Sequence, residues 1–351
     1  MSIDLQDVTR RFGPLAAVDG LTQRIEAGSF FAVLGPSGCG KSTLLRMIAG
    51  LEPLDGGRIA LGGRAVAAPG LHVAPEARGL GVVFQSYALW PHLDVLGNVA
   101  FPVEAAGSPR RIARAEAEAH LASVALQGFG LRRPAELSGG ERQRVALARC
   151  LAGRARVVLM DEPLANLDPH LRASMEGELA AFHARAGATT LYITHDQREA
   201  MALGTQVAVM NRGRFEQVGP PEDIHDRPAT AFVARFVGRG AVLPVQVLAV
   251  AGGRAQVMLA GREVEVACPH GLVCGPADLL LRPADIVPDP DGWLTRGMGI
   301  TYRGGDWEMR LVLADLPDSD PLVLTLPQRP PPGEAPAVSI HGGWILPRPQ
   351  R

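Results

Sequence analysis

The residues best suited to do chemistry in this chain are Gly35-Pro36-Ser37-Gly38-Cys39-Gly40-Lys41-Ser42-Thr43. They fit G-x-x-x-x-G-K-[ST]. In that pattern glycines let backbone N–H groups face phosphate oxygens, and a following helix adds the positive end of its dipole. Lys41 is placed to reach the β- and γ-phosphates of a nucleoside triphosphate, and the Ser42 hydroxyl to hold Mg²⁺. Lys41 is also the only lysine: 34 of the 35 Lys and Arg side chains are arginine. A broad planar guanidinium does not replace a compact ammonium inside a tight phosphate loop. Asp161 and Glu162 stand 120 residues beyond Lys41, directly after the apolar run Val157-Val158-Leu159-Met160. In a phosphate-loop fold the first carboxylate holds Mg²⁺, directly or through water, and the second polarises the attacking water. Alone, such an acidic pair is ordinary solvated surface; beside the phosphate loop it completes a hydrolytic set.

Leu137-Ser138-Gly139-Gly140-Glu141 is the second decisive stretch. Ser138 and Glu141 form an S-x-x-E capping box for a helix over 142–151. That leaves two glycines unexplained in the first turn, where each weakens a helix by roughly 1 kcal/mol. Glycines there suit close backbone approach to an anion at a helix N-terminus. The chain therefore offers two separate anion-binding helix starts.

The elements that must position these groups follow from pattern. Phe30-Phe31-Ala32-Val33-Leu34 predicts a buried strand ahead of the phosphate loop, and 42–49 a helix closed by Gly50. Leu80-Gly81-Val82-Val83-Phe84 predicts another strand, ending at Gln85. From 88 to about 152 the strand pattern stops and Ala, Arg and Glu dominate 110–126, which predicts an inserted helical subdomain. Strands return at 157–160 and at Thr189-Thr190-Leu191-Tyr192-Ile193-Thr194, ending at His195. A hairpin is expected around Asn211-Arg212-Gly213-Arg214 and a short helix over 230–236. From 239 to 351 short β-patterned runs (245–250, 255–259, 264–267, 279–281, 309–313, 322–326) alternate with Gly and Pro breaks such as Pro330-Pro331-Pro332-Gly333. They predict an all-β domain, a small barrel or sandwich. The fold expected is α/β over 1–238 with an all-β domain after it.

Composition narrows the class. With 351 residues, 47% hydrophobic and 20% charged, the chain has ample core for two or three domains. A net charge of −1 gives no sign of a nucleic-acid partner. The four cysteines, Cys39, Cys150, Cys268 and Cys274, sit where a disulfide framework is not expected, and a reducing compartment fits. Met1-Ser2-Ile3-Asp4-Leu5 lacks a basic region followed by an apolar run, so no signal peptide is expected. No apolar run approaches the length of a membrane span, so a membrane role would run through a partner. Cys268, His270 and Cys274 match no common zinc spacing. Trp293, Trp307 and Trp344 are expected in a barrel core, and Arg110, Arg111 and Arg114 on a solvated helix face.

On these residues the chain closely resembles the ATP-binding subunits of ABC transporters. Leu137-Ser138-Gly139-Gly140-Glu141-Arg142-Gln143-Arg144 matches the family signature, Gly35 to Ser42 matches Walker A, and Val157 to Glu162 matches Walker B. Gln85 takes the Q-loop position, Asp168 the D-loop and His195 the switch histidine, in the expected order over 3 to about 238. The resemblance implies a phosphate-loop NTPase in which two subunits sandwich two ATP molecules. Each site joins one subunit's Walker motifs to the signature Ser138, Gly139 and Gly140 of the other. Phe12 would stack on adenine, Glu162 would be the catalytic base, His195 would contact the γ-phosphate, and Gln85 would sense Mg²⁺ and couple to the membrane partner. Ala165 departs from the serine frequent in the family, and Phe12 lacks the hydroxyl of the tyrosine common there.

Ser86-Tyr87-Ala88-Leu89-Trp90-Pro91-His92, His195-Asp196-Gln197-Arg198-Glu199-Ala200-Met201 and Gln217-Val218-Gly219-Pro220-Pro221-Glu222 resemble the importer branch for maltose, polyamines, iron(III), sulfate and phosphonates. Its ATPases carry an oligosaccharide-binding-like C-terminal domain called TOBE, which 239–351 fits in length and pattern, with Leu281-Arg282-Pro283 resembling a recurrent element. The resemblance implies a homodimer on the cytoplasmic face of the inner membrane, peripheral to two integral permease subunits and served indirectly by an extracytoplasmic substrate-binding protein. Iron(III), polyamine or phosphonate-type cargo is expected. A soluble ABC ATPase not coupled to transport is the alternative; those usually carry coiled-coil insertions or tandem ATPase units, and neither is evident. Tyr87, Leu89 and Trp90 are expected to help form the groove for a permease helix.

Overall fold

Burial on both faces decides the architecture of the first unit. In the strands Phe30–Leu34, Val157–Asp161 and Thr189–Thr194 nearly every residue is buried, as parallel strands covered on both sides must be. The computed structural model describes residues 1–165, 167, 169–331 and 334–346. Its six-stranded sheet runs Arg214–Gly219, Gln206–Asn211, Phe30–Leu34, Thr189–Thr194, Val157–Asp161, Leu80–Val83. Neighbours are parallel except the hairpin of the first two. Successive side chains go to opposite faces. Phe31, Val33, Leu159, Leu191 and Ile193 share a core with the helix Lys41–Ala49 and with a five-stranded antiparallel sheet that begins at Ile3–Phe12. Phe30, Val158, Met160 and Tyr192 share another with the helices Gly139–Ala152 and Pro169–Ala186. Each such side chain contributes roughly 1.5–3 kcal/mol by leaving water.

The interruption expected between 88 and 152 is a helical layer. The helices Val95–Ala105, Arg110–Ser123 and Gly139–Ala152 close on Val99, Leu121, Leu126 and Val145. Asp94 caps the first by accepting from the Gly97 N–H at 2.6 Å. Asn98, wholly buried, takes the Trp90 N–H at 2.8 Å and donates to the Trp90 carbonyl at 3.1 Å, fixing the chain ahead of that helix.

The chain divides into compact units Met1–Pro221 and Glu222–Arg351. The second opens with two short helices, Ala231–Phe236 being capped by Thr230. Its centre is a closed barrel ordered Ala241–Ala251, Arg254–Leu259, Arg262–Ala267, Trp344–Leu346, Gly275–Leu281. A two-stranded pair (Ile286–Trp293 with Val338–Ile340) and a three-stranded sheet (Thr295–Tyr302, Trp307–Leu313, Leu322–Leu326) share its core. The break expected at 238 and the division at 221 differ by the two short helices. Arg282 explains their placement: its guanidinium donates to the carbonyls of His225 at 2.7 Å, Val237 at 2.5 Å and Ala234 at 3.3 Å. Trp293 is buried, its Nε1 donating to the Leu259 carbonyl at 3.1 Å. Pro332 and Gly333 of the expected break lie outside the described residues.

Candidate active site

The phosphate loop needs its glycines for different reasons. A Cβ on Gly35 would stand 2.3 Å from the Met210 carbonyl oxygen, and one on Gly40, at φ +111°, would stand 2.0 Å from that of Ala17. The loop is pressed against two other segments and is pinned to a third, where Gly213 N–H donates to the Cys39 carbonyl at 2.9 Å. Ser37 and Gly38 form its exposed crest beside a half-buried Pro36, with Cys39 buried beneath and Thr43 in the first helical turn. Lys41 is buried, and its Nζ donates to the carbonyls of Gly35 at 2.7 Å and Pro36 at 3.0 Å. The ammonium is thus held across the mouth of the loop by acceptors that phosphate oxygens can replace.

Ser42 Oγ, one residue on, donates to Asp161 Oδ1 at 3.0 Å. Two hard oxygen donors from opposite ends of the sequence motifs therefore meet at the C-terminal end of the strand Val157–Asp161. Burial holds the Asp161 carboxyl above the usual aspartate range, with the Ser42 hydrogen bond working in the other direction. Glu162 follows at φ +45°, a left-handed conformation uncommon for a residue with a side chain. Its N–H donates to the Ile193 carbonyl at 3.0 Å. That turn brings the Glu162 carboxylate 3.0 Å from His195 Nδ1, at the end of the neighbouring strand. A carboxylate that can take a proton and an imidazole that orients it stand beside the oxygen pair.

Ser138 forms the capping box: its Oγ accepts from the Glu141 N–H at 3.3 Å, and Glu141 Oε2 accepts from the Ser138 N–H at 2.6 Å. That hydrogen bond holds the Glu141 carboxyl below the usual range. The glycines have a packing reason as well as the anion reason expected. A Cβ on Gly139 would stand 3.1 Å from Leu167 Cδ2, and one on Gly140 would stand 3.2 Å from Leu171 Cδ2. Among the described residues no hydrogen bond or ion pair joins this turn to Lys41, Asp161 or Glu162. Phe12 ends its strand with its ring about half exposed and the Arg10 guanidinium 4.9 Å from the centroid. Gln85 is exposed in the turn after Leu80–Val83. Asp168 lies outside the described residues.

Tyr87 and Leu89 do not take the groove places expected of them: Tyr87 is buried, at φ +62°. The groove nearby, about 410 Å³, is lined by Leu51, Leu80, Phe84, Trp90 and Arg149 among others, and Leu89 is not in its lining. Sequence reasoning also missed the support behind His195. Glu199 is buried and accepts from Tyr192 at 2.8 Å and from Thr194 at 2.6 Å. Arg172 stands 3.7 Å from it and 3.2 Å from Asp196. Burial pushes the Glu199 carboxyl up. The available signal was a glutamate one helical turn after a strand-ending histidine.

Comparison with known proteins identifies the family of the chain. A family model described as ABC transporter matches residues 18–165. The chain is similar, at 43% identity over 339 residues, to the spermidine/putrescine import ATP-binding protein PotA 2 of Pseudomonas aeruginosa, covering 94% of this chain and 92% of that protein. It is 43% identical over 289 residues to the Fe(3+) ions import ATP-binding protein FbpC 1 of Rhizobium meliloti, covering 82% and 80%. It is also 43% identical over 317 residues to the sulfate/thiosulfate import ATP-binding protein CysA of Xanthomonas campestris, covering 89% and 90%. Among solved structures, a dimeric ATP-binding cassette in a post-hydrolysis state with ADP and Pi matches at 28% identity and TM-score 0.55, covering 62% of this chain and 98% of that one. cbiO1 of Clostridium perfringens, part of the ABC transporter complex cbiONQ, matches at 26% and 0.57, covering 63% and 89%.

Proposed function

We propose, from the premise that this chain belongs to the ATP-binding subunits of ABC importers, that it hydrolyses ATP to drive uptake of a polyamine-, iron(III)- or sulfate-class solute through a pair of membrane permease subunits. The observation that carries the reading is the meeting of Ser42 with Asp161 and of Glu162 with His195 at adjoining strand ends. The cargo class is supported by the names of relatives only.

The chain's own groups supply the hydrolysis. Lys41 exchanges loop carbonyls for β- and γ-phosphate oxygens, and the loop N–H groups cradle the same charge. Glu162 accepts a proton from water as the water oxygen bonds to the γ-phosphorus and the bond to the β-phosphate oxygen breaks, leaving ADP and phosphate. His195 holds the Glu162 carboxylate in place and faces the same phosphate. Ser42 and Asp161 offer the hard oxygens that Mg²⁺ takes alongside substrate phosphates and water, and Gln85 offers a third. Bound there, Mg²⁺ would neutralise phosphate charge. Phe12 offers a ring face to adenine.

Among the described residues no hydrogen bond or ion pair joins the Ser138–Gly140 helix start to Lys41, Asp161 or Glu162, which supports a two-fold pair in which each signature faces the other subunit's loop. The residues 239–351 form the TOBE-like domain in this reading. No described helix is long and apolar enough to cross a membrane. The groove by Trp90 is the proposed seat of a permease helix, with the pair on the cytoplasmic face of the inner membrane and fed by an extracytoplasmic substrate-binding protein.

Mixing two dead variants tests the shared site. Lys41→Ala and Ser138→Arg should each inactivate a homodimer. In heterodimers one site carries both lesions and the other is intact, so a mixture should regain ATPase activity. Proven heterodimers without activity, alongside an active dimer with one wild-type chain, would rule the shared site out.

A further inference from the structure

The hydrolysis scheme leaves one buried place unexplained. Gln143 is wholly buried, yet among the described residues neither its Nε2 nor its Oε1 has a hydrogen-bond partner. Tyr87 Oη is likewise buried and unpartnered. Buried polar groups in native proteins are almost always satisfied, so each orphan calls for a partner that this arrangement of the protein's own groups does not supply. The two orphans border one seam. A Cβ on Gly139 would stand 4.0 Å from Tyr87 Oη, and Gln143, four residues on, lies on the same face of the helix Gly139–Ala152.

The turn carrying Tyr87 is itself held under tension by that helix. Tyr87 and Ala88 both have positive φ, +62° and +45°, a conformation that persists in side-chain-bearing residues only where the surroundings impose it. Arg149, from the same helix, imposes it by donating to the Tyr87 carbonyl at 3.0 Å and to the Ala88 carbonyl at 2.8 Å. The turn begins at Gln85, and the helix begins at Ser138. Movement at one is therefore felt at the other.

We propose that Tyr87 and Gln143 are a positioning pair for ATP hydrolysis: their unpartnered groups hydrogen-bond to each other when the helix shifts along the seam, and that bond sets the Ser138–Gly140 turn for its phosphate contact. Helix shifts of about 1–2 Å are ordinary in switching proteins. Neither residue touches the reacting atoms; both act through the turn. The inference rests on that turn belonging to the hydrolysis site.

The test uses the full chain and steady-state ATPase at saturating MgATP. Tyr87→Phe and Gln143→Leu should each lower kcat about tenfold with KM for ATP changed less than about twofold, the mark of a bond made only on the way to hydrolysis. The double variant should lose no more than either single one, because one bond cannot be removed twice. The melting temperature should stay level or rise, since an orphaned polar group is deleted from the resting state. A Tyr87→Phe variant within about twofold of the parent kcat overturns the proposal, as do losses that multiply in the double variant or a melting temperature that falls with activity. If Gln143→Leu does not fold, Tyr87→Phe decides alone, since it removes a single oxygen. Ser138→Arg separates the two readings: if it keeps activity, the turn's part in the site fails; if it abolishes activity while Tyr87→Phe does not, the pair fails.

Discussion

Gly40→Ala isolates what the loop backbone does, because the new methyl carries no charge and no chemistry. At φ +111° a side chain costs about 1–3 kcal/mol in backbone strain. The methyl carbon would also stand 2.0 Å from the Ala17 carbonyl oxygen, about 1.4 Å short of the 3.4 Å where ordinary contact begins. The nearest atom is backbone, so no rotamer relieves it, and the loop must move by about that much. Displacing a catalytic constellation by about 1 Å costs on the order of 10²-fold in rate. Gly38 supplies the control. It has φ +78° with nothing within 4 Å of a new Cβ, so Gly38→Ala carries the strain without the collision. Nucleotide titration and steady-state ATPase should show Gly40→Ala losing roughly 100-fold in kcat/KM while Gly38→Ala loses several-fold at most. If Gly40→Ala binds and hydrolyses ATP like Gly38→Ala, the close approach to Ala17 does not shape the site.

Glu162→Gln should lower turnover by roughly 10²–10⁴ with ATP still bound; turnover within a few-fold of the parent removes Glu162 from the role of base. Leu51→Glu, at a half-exposed residue lining the groove beside Trp90, should spare basal ATPase and abolish co-purification with the permease, and unchanged co-purification refutes the groove. Glu199 bears on pH. Burial raises its native value above the unfolded one, so the native state binds the extra proton. Its contribution to stability is therefore greatest below the ordinary glutamate range and declines as pH rises towards the raised native value. Glu199→Gln should flatten the curve of melting temperature against pH across that window, and parallel curves for variant and parent refute the assignment.

Local pattern carried most of the site. The phosphate loop, the capping box at Ser138 and the acidic pair after an apolar strand are each set by neighbours in sequence, and each stands where expected. What was hidden depends on distant residues. Arg149 reaches the Tyr87 carbonyl across 62 positions, and nothing near either residue signals it. Nothing near Tyr87 signals that it turns inward, because the run after Gln85 has no period from which to read a buried face. In the second unit, Ile286–Trp293 and Thr295–Tyr302 escaped because Pro288, Pro290, Gly297 and Gly299 break the alternation that marks a strand.

The chemistry depends finally on the register of two strands. In the parallel pair of Val157–Asp161 with Thr189–Thr194, Asp161 stands opposite Ile193. That single match sends Glu162 N–H to the Ile193 carbonyl and leaves His195 two residues further on, within reach of the Glu162 carboxylate. It also leaves Asp161 facing Ser42. A slip by one residue would turn every side chain of a strand to the wrong core and undo both pairs together. Both faces of these strands are packed, so the register is held by hydrophobic burial spread over many residues. Glu199 then fixes the last turn of the strand by accepting from Tyr192 and Thr194. The polar site is thus small because the apolar sheet does its positioning: the residues that hold Glu162 and His195 in place are, for the most part, not the ones that touch ATP.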